Sequence, residues 1–182
     1  MNEPMVGDAA GEPPPSDFGL FGRGLLLTSK VASAAGGLVF VGLVAMSIVS
    51  IVGRKLASAP VPGDVEVLQM CAAVASSTFF AYCHLNRGDV KVDFFTQGLR
   101  APTVARLDAL GSLLVGVFGL LLAWRTGVGA AQLAADGESS AILAWPVWVP
   151  VALMVPGFLL LGTAGLYMAV HQWRRAQTGA SA

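Results

Sequence analysis

Residues 31–53 read VASAAGGLVFVGLVAMSIVSIVG, a run without one charge, closed by Arg54-Lys55. A helix crosses about 30 Å of hydrocarbon with roughly 20 mainly apolar residues, and this run has that length and character. Three further blocks follow. One spans 65–85, with Glu66 at its start and His84 at its end; the next spans 107–131, passing Arg125. The last uncharged stretch begins at 141 and ends before Arg174-Arg175, and its first third carries Pro146 and Pro150 in the segment AWPVWVP. Prolines and tryptophans in that order suit the membrane interface better than a helix interior, so the fourth span is placed at 147–171. The blocks are continuous, whereas a membrane barrel needs alternating segments of about ten residues. The sequence therefore predicts an all-α integral membrane protein with four transmembrane helices.

Composition agrees. Of 182 residues, 55% are apolar and 12% charged, against about a quarter charged in a soluble domain. Eleven basic residues balance eleven acidic ones without a basic run, which excludes a nucleic-acid partner bound through a clustered positive face. Cys71 and Cys83 lie in one block, about 18 Å apart on a helix, too far for a disulfide. No solenoid-type repeat is visible. Residues 1–17 hold four prolines and four acids and are predicted to form a disordered tail without the positive start of a signal peptide. Phe18, Phe21 and Leu25 then recur at i, i+3, i+7. That spacing suits a short interfacial helix before the first span, or a ragged start to the span itself. The membrane domain is thus 18–175, followed by a tail at 176–182.

Topology follows from the lysines and arginines. With the N-terminus inside, inner segments carry Arg23, Lys30, Arg87, Lys91, Arg100, Arg106, Arg174 and Arg175, and outer segments carry Arg54, Lys55 and Arg125. Eight against three obeys the positive-inside rule. The predicted orientation is N-in, C-in, with both tails cytoplasmic.

Ionisable residues within a bilayer are costly and mark function by default, and the span centres show only hydroxyls: Ser47 and Ser50 in the first, Ser76, Ser77 and Thr78 in the second. That pattern argues against a chain that moves ions or solutes alone. His84 and His171 both fall near inner helix ends, where they could share a depth and ligate a haem as axial ligands. A haem-binding membrane anchor subunit of a respiratory complex is the alternative reading. Asp64 suits the N-cap of the second helix, with Glu66 in its first turn at the positive end of the dipole. A partly buried Glu66 would need a cation, Arg54 or Lys55. In the inner loop, Val92, Phe95 and Leu99 have helical spacing, with Asp93 as cap, so a short surface helix is predicted there. No phosphate loop, nucleophile elbow or zinc spacing occurs. No enzyme activity, metal or cofactor is expected.

Four stretches in order carry a resemblance. They are Arg54 after the first span, a Pro/Gly turn with Glu66 opening the second, the inner loop Asn86-Arg87-Gly-Asp-Val-Lys-Val-Asp93, and Trp145-Pro-Val-Trp-Val-Pro running into Pro156-Gly157-Phe158. The chain resembles the small membrane subunit of tripartite ATP-independent periplasmic (TRAP) transporters, the DctQ-like family, over about residues 30–171. Asp89 departs from the pattern, which usually has histidine there. The resemblance implies a bacterial inner-membrane subunit without chemistry of its own. Its partners would be the lipid bilayer, a large TRAP permease subunit holding the solute and ion sites, and a periplasmic solute-binding protein delivering an organic acid for ion-coupled uptake. The role implied is a scaffold for the large subunit, with Arg54, Glu66, Arg87, Asp93, Pro156 and Gly157 as structural or partner-contact positions.

Overall fold

A computed structural model describes residues 19–57, 62–86 and 101–178. Four helices account for nearly all of them: α1 (Leu20–Ala57), α2 (Asp64–Leu85), α3 (Ala101–Asp136) and α4 (Trp148–Thr178). Each is long and apolar enough to cross a membrane, and no strand occurs among the described residues beyond an isolated bridge between Ser139 and Pro146. The protein is an all-α membrane protein.

The helices outrun the hydropathy windows. At 38 residues, α1 is about 57 Å long and runs unbroken from Leu20, so of the two readings of that segment it is the start of the span and not a separate interfacial helix. Arg23 and Lys30 interrupt the hydropathy there but not the helix. Its first turns lean on α4: Phe21 and Tyr167 pack ring to ring at 5.9 Å, and Gly22 lies directly against the Tyr167 ring. The predicted inner-loop helix, with Arg87 and Asp93, lies outside the described residues.

The helices form an open row in the order α1, α2, α4, α3. Each packs on its neighbour in that order, α1 also brushes α4, and α3 meets neither α1 nor α2 among the described residues. Small residues set the spacing. Along α3 and α4, Gly116 lies against Gly165 and Leu166, and Gly119 against Gly162, so closely that an added Cβ would meet backbone at 2.8 and 2.7 Å. Buried Ser112 donates to the Gln172 Oε1 at 3.0 Å nearer the inner end. Apolar helices in lipid associate by such close packing, because the lipid tails are themselves apolar. Between α2 and α4, Gly157 sits on the Ser77 backbone, Phe80 stacks on Phe158, and Ala81, Leu85, Ala164 and Met168 make a fully enclosed cluster. Gly36 on α1 lies against Thr78 and the Ala75 carbonyl, beside the Phe40–Phe79 stack.

Pro156 lies inside α4, where its missing N–H leaves one backbone carbonyl of the preceding turn without its donor, a feature membrane helices accommodate. Pro150 is the third residue of α4, where no intrahelical donor is required.

Candidate functional site

The polar chemistry of the described chain gathers at the outer ends of the helices, around the start of α2. The N-cap is Gly63, left-handed at φ 73°, and not Asp64 as expected. Glycine is needed twice over, for the positive φ and because a Cβ would stand 2.6 Å from the Leu143 side chain. Asp64 thereby becomes the first helical residue. One of its carboxylate oxygens accepts the Val65 N–H at 2.8 Å. The other accepts the Ser50 hydroxyl of α1 and faces Arg54 Nη2 at 3.6 Å.

Glu66 turns the opposite way, to the loop between α3 and α4. Its Oε2 accepts the Ser140 hydroxyl at 2.6 Å and the Leu143 N–H at 3.1 Å, and its Oε1 accepts the Ile142 N–H at 2.9 Å. The loop is built to present those donors. Ser140 N–H donates to the Trp145 carbonyl at 2.8 Å and Val147 N–H to the Glu138 carbonyl at 3.1 Å, closing a small hairpin. Ala144 takes a left-handed φ of 53° at its turn, a conformation a non-glycine residue holds only where its surroundings fix it. The expected pairing of Glu66 with Arg54 or Lys55 is thus corrected. Arg54 goes to Asp64, and backbone donors, which sequence cannot show, take the Glu66 carboxylate.

The two acids of Asp64-Val-Glu66 therefore clasp all four helices at one end: Asp64 ties α1 to α2, and Glu66 ties α2 to the α3–α4 loop. The ties differ in strength. The Arg54 side chain is 63% exposed, and exposed pairs contribute little. Arg54→Ala should leave thermal stability in detergent nearly unchanged, whereas Ser50→Ala, which removes the closer donor, should lower it measurably.

Beneath the loop, α1, α2 and α4 enclose a cleft of about 470 Å³, lined by Val39, Met70, Val74, Trp145, Val149 and Leu153 among others. It holds no charged or amide group to orient a polar solute, which binding pockets require. Buried Gly157 belongs to the α2–α4 joint, whereas Pro156 lies on the exposed side of α4. Two helices carry long apolar stripes left uncovered by the described residues: Leu38, Val41, Val44, Ile48 and Ile51 on α1, and Leu114, Phe118 and Leu121 on α3.

The two histidines lie on neighbouring helices, α2 and α4. His84 is buried beside Leu85 of the Ala164–Met168 cluster, and His171 stacks on Tyr167 at 6.1 Å. Arg125, inside the 107–131 block yet counted with the outer basic residues, belongs with the span. It stands inside α3, well below the outer end of that helix at Asp136, and so is no longer part of the outer charge.

A model of the family described as "Tripartite ATP-independent periplasmic transporters, DctQ component" matches residues 43–175. No curated protein and no solved structure matches the chain. The matching family is one of transporter components, and nothing in it supports a haem-binding anchor.

Proposed function

The chain belongs to the DctQ family of tripartite ATP-independent periplasmic transporters, as one of their small membrane subunits, and on that premise we propose that it is the scaffold on which the large permease subunit works. The observation that carries this is the open row of helices. A bundle that moved a solute alone would enclose a pathway lined by polar or ionisable groups. This chain instead lays four helices side by side, clasps them at the outer ends, and leaves apolar stripes exposed on α1 and α3. Such a layer stiffens a neighbour. The large subunit then carries the solute and ion sites, and a periplasmic binding protein delivers an organic acid to the pair at the bacterial inner membrane. Glu66, Pro156 and Gly157 are shape-holding positions, and Arg54 is a partner-contact position, as are Arg87 and Asp93 in the inner loop.

Proteoliposomes test the division of labour. Uptake should need this chain, the large subunit and the binding protein together. Uptake by this chain alone, or undiminished uptake without it, would overturn the scaffold.

Orientation is N-in, C-in on this reading. With Arg125 inside α3, eight inner basic residues face only Arg54 and Lys55 outside, a stronger bias than the raw sequence offers. Reporters fused at Ser58, Gln97, Gly137 and Ala180 should read outside, inside, outside and inside. An outside signal at Gln97 would reverse the topology.

A further inference from the structure

The shortest helix fixes the depth of the bilayer. With 22 residues, α2 is about 33 Å long, barely more than the hydrocarbon it must cross, so nearly all of it is immersed. Ser77 lies about 20 Å from its outer end and about 12 Å from its inner end, near the middle of the membrane. Ser77 touches Gly157 of α4. On α3, Gly127 faces Val155, and Gly119 faces Gly162, so the residue level with Gly157 is Arg125.

Arg125 is exposed. It has no ion pair, hydrogen bond or ring contact among the described residues. It points away from α4, on the face of α3 that carries Leu114, Phe118 and Leu121, all more than half exposed, and Gly111 and Gly129 beside them have open space about them. Charged side chains within a membrane face a protein interior and are paired there; only those near helix ends reach the headgroups. Asp136, the outer end of α3, is about 16 Å above Arg125. The interior that Arg125 requires is absent among the described residues, and another protein is the fitting source of it.

We propose that the outward face of α3 seats a transmembrane helix of the large permease subunit, and that this helix presents a carboxylate to Arg125 within the bilayer. The inference rests on the small-subunit reading above. A carboxylate is the fitting partner because the guanidinium fork takes both its oxygens at once, and the surrounding leucines and phenylalanine exclude the water that would otherwise weaken the pair.

Co-expression of the tagged chain with its large subunit, followed by co-purification, tests this. Arg125→Leu should reduce the recovered large subunit by about tenfold or more, since it strands a buried carboxylate. Arg125→Lys should retain part of it. The isolated Arg125→Leu chain should be at least as heat-stable as the wild type, because the side chain has no partner among the described residues; that separates lost docking from lost folding. Replacing the intramembrane carboxylates of the large subunit one at a time by their amides, in the Arg125→Leu background, should restore recovery at one position. Wild-type recovery with Arg125→Leu overturns the docking face while leaving the small-subunit reading intact. Loss that no amide replacement restores overturns the carboxylate pairing and points to a lipid phosphate. Failure of the wild-type chain to co-purify overturns both readings.

Discussion

Replacing Gly157 by valine should part the row of helices at its centre and cost the protein both thermal stability and its hold on the large subunit. The α2–α4 joint is the main link between two antiparallel pairs, α1 with α2 and α3 with α4. At that joint a Cβ on residue 157 would stand 2.6 Å from the Ser77 hydroxyl oxygen and 2.7 Å from the Ser77 carbonyl oxygen. A hydroxyl can rotate, but a helix carbonyl cannot move without its helix. The two backbones must separate, and the Phe80–Phe158 stack and the Ala81–Ala164 packing on the same face loosen with them. Overpacking usually costs about 1–3 kcal/mol; obstruction by backbone puts Gly157→Val at the upper end, with Gly157→Ala below it. Gly42→Ala is the control, since open space surrounds that glycine. Thermal unfolding in detergent and co-purification read the effect. A Gly157→Val protein as stable as Gly42→Ala would show that the close approach at Ser77 is not what joins the pairs.

How far such a joint is visible in sequence depends on the physics of the solvent. Continuous apolar blocks reveal helices because only a closed backbone survives in lipid, and four of them were legible. Which face of each helix meets protein was not, since lipid tails are as apolar as leucine and no polar face marks the outside. Gly116 and Gly119 could equally have faced a partner; the structure turns both onto α4. Gly111, five residues before Gly116 and so on another side of the helix, faces open space. Arg125 misled for the opposite reason. The 107–131 block runs past it, yet a charge invites assignment to a loop, so it was counted with the outer basic residues; its register against α4 shows its depth. At the outer end, Asp-Val-Glu was legible as a helix start. The partners of Glu66 were not, because two of the three are backbone N–H groups of a loop 76 and 77 positions further along.

Those N–H groups make Glu66 the polar residue whose loss should be felt most. Its two oxygens accept three hydrogen bonds from one loop, and a carboxylate binds such donors more strongly than a neutral group does. Glu66→Ala leaves Ser140, Ile142 and Leu143 without their acceptor, and with it goes the tie between α2 and the α3–α4 loop. Ala144, held left-handed at the turn, then has less reason to stay there. Glu66→Gln is milder. Its carbonyl oxygen can take the place of Oε2 and keep the Ser140 and Leu143 bonds, but its NH₂ then meets the Ile142 N–H, donor against donor. The helix dipole gives a different expectation. A carboxylate that only answered the positive end of α2 would be lost equally in alanine and glutamine, and the loop would not notice. Limited proteolysis within residues 138–147, beside thermal unfolding, separates the two. Cleavage should rise sharply in Glu66→Ala, less in Glu66→Gln and not at all in Arg54→Ala. Equal stability loss in the alanine and glutamine variants, with the loop intact in both, would return Glu66 to the dipole role and leave the outer clasp resting on Asp64 alone.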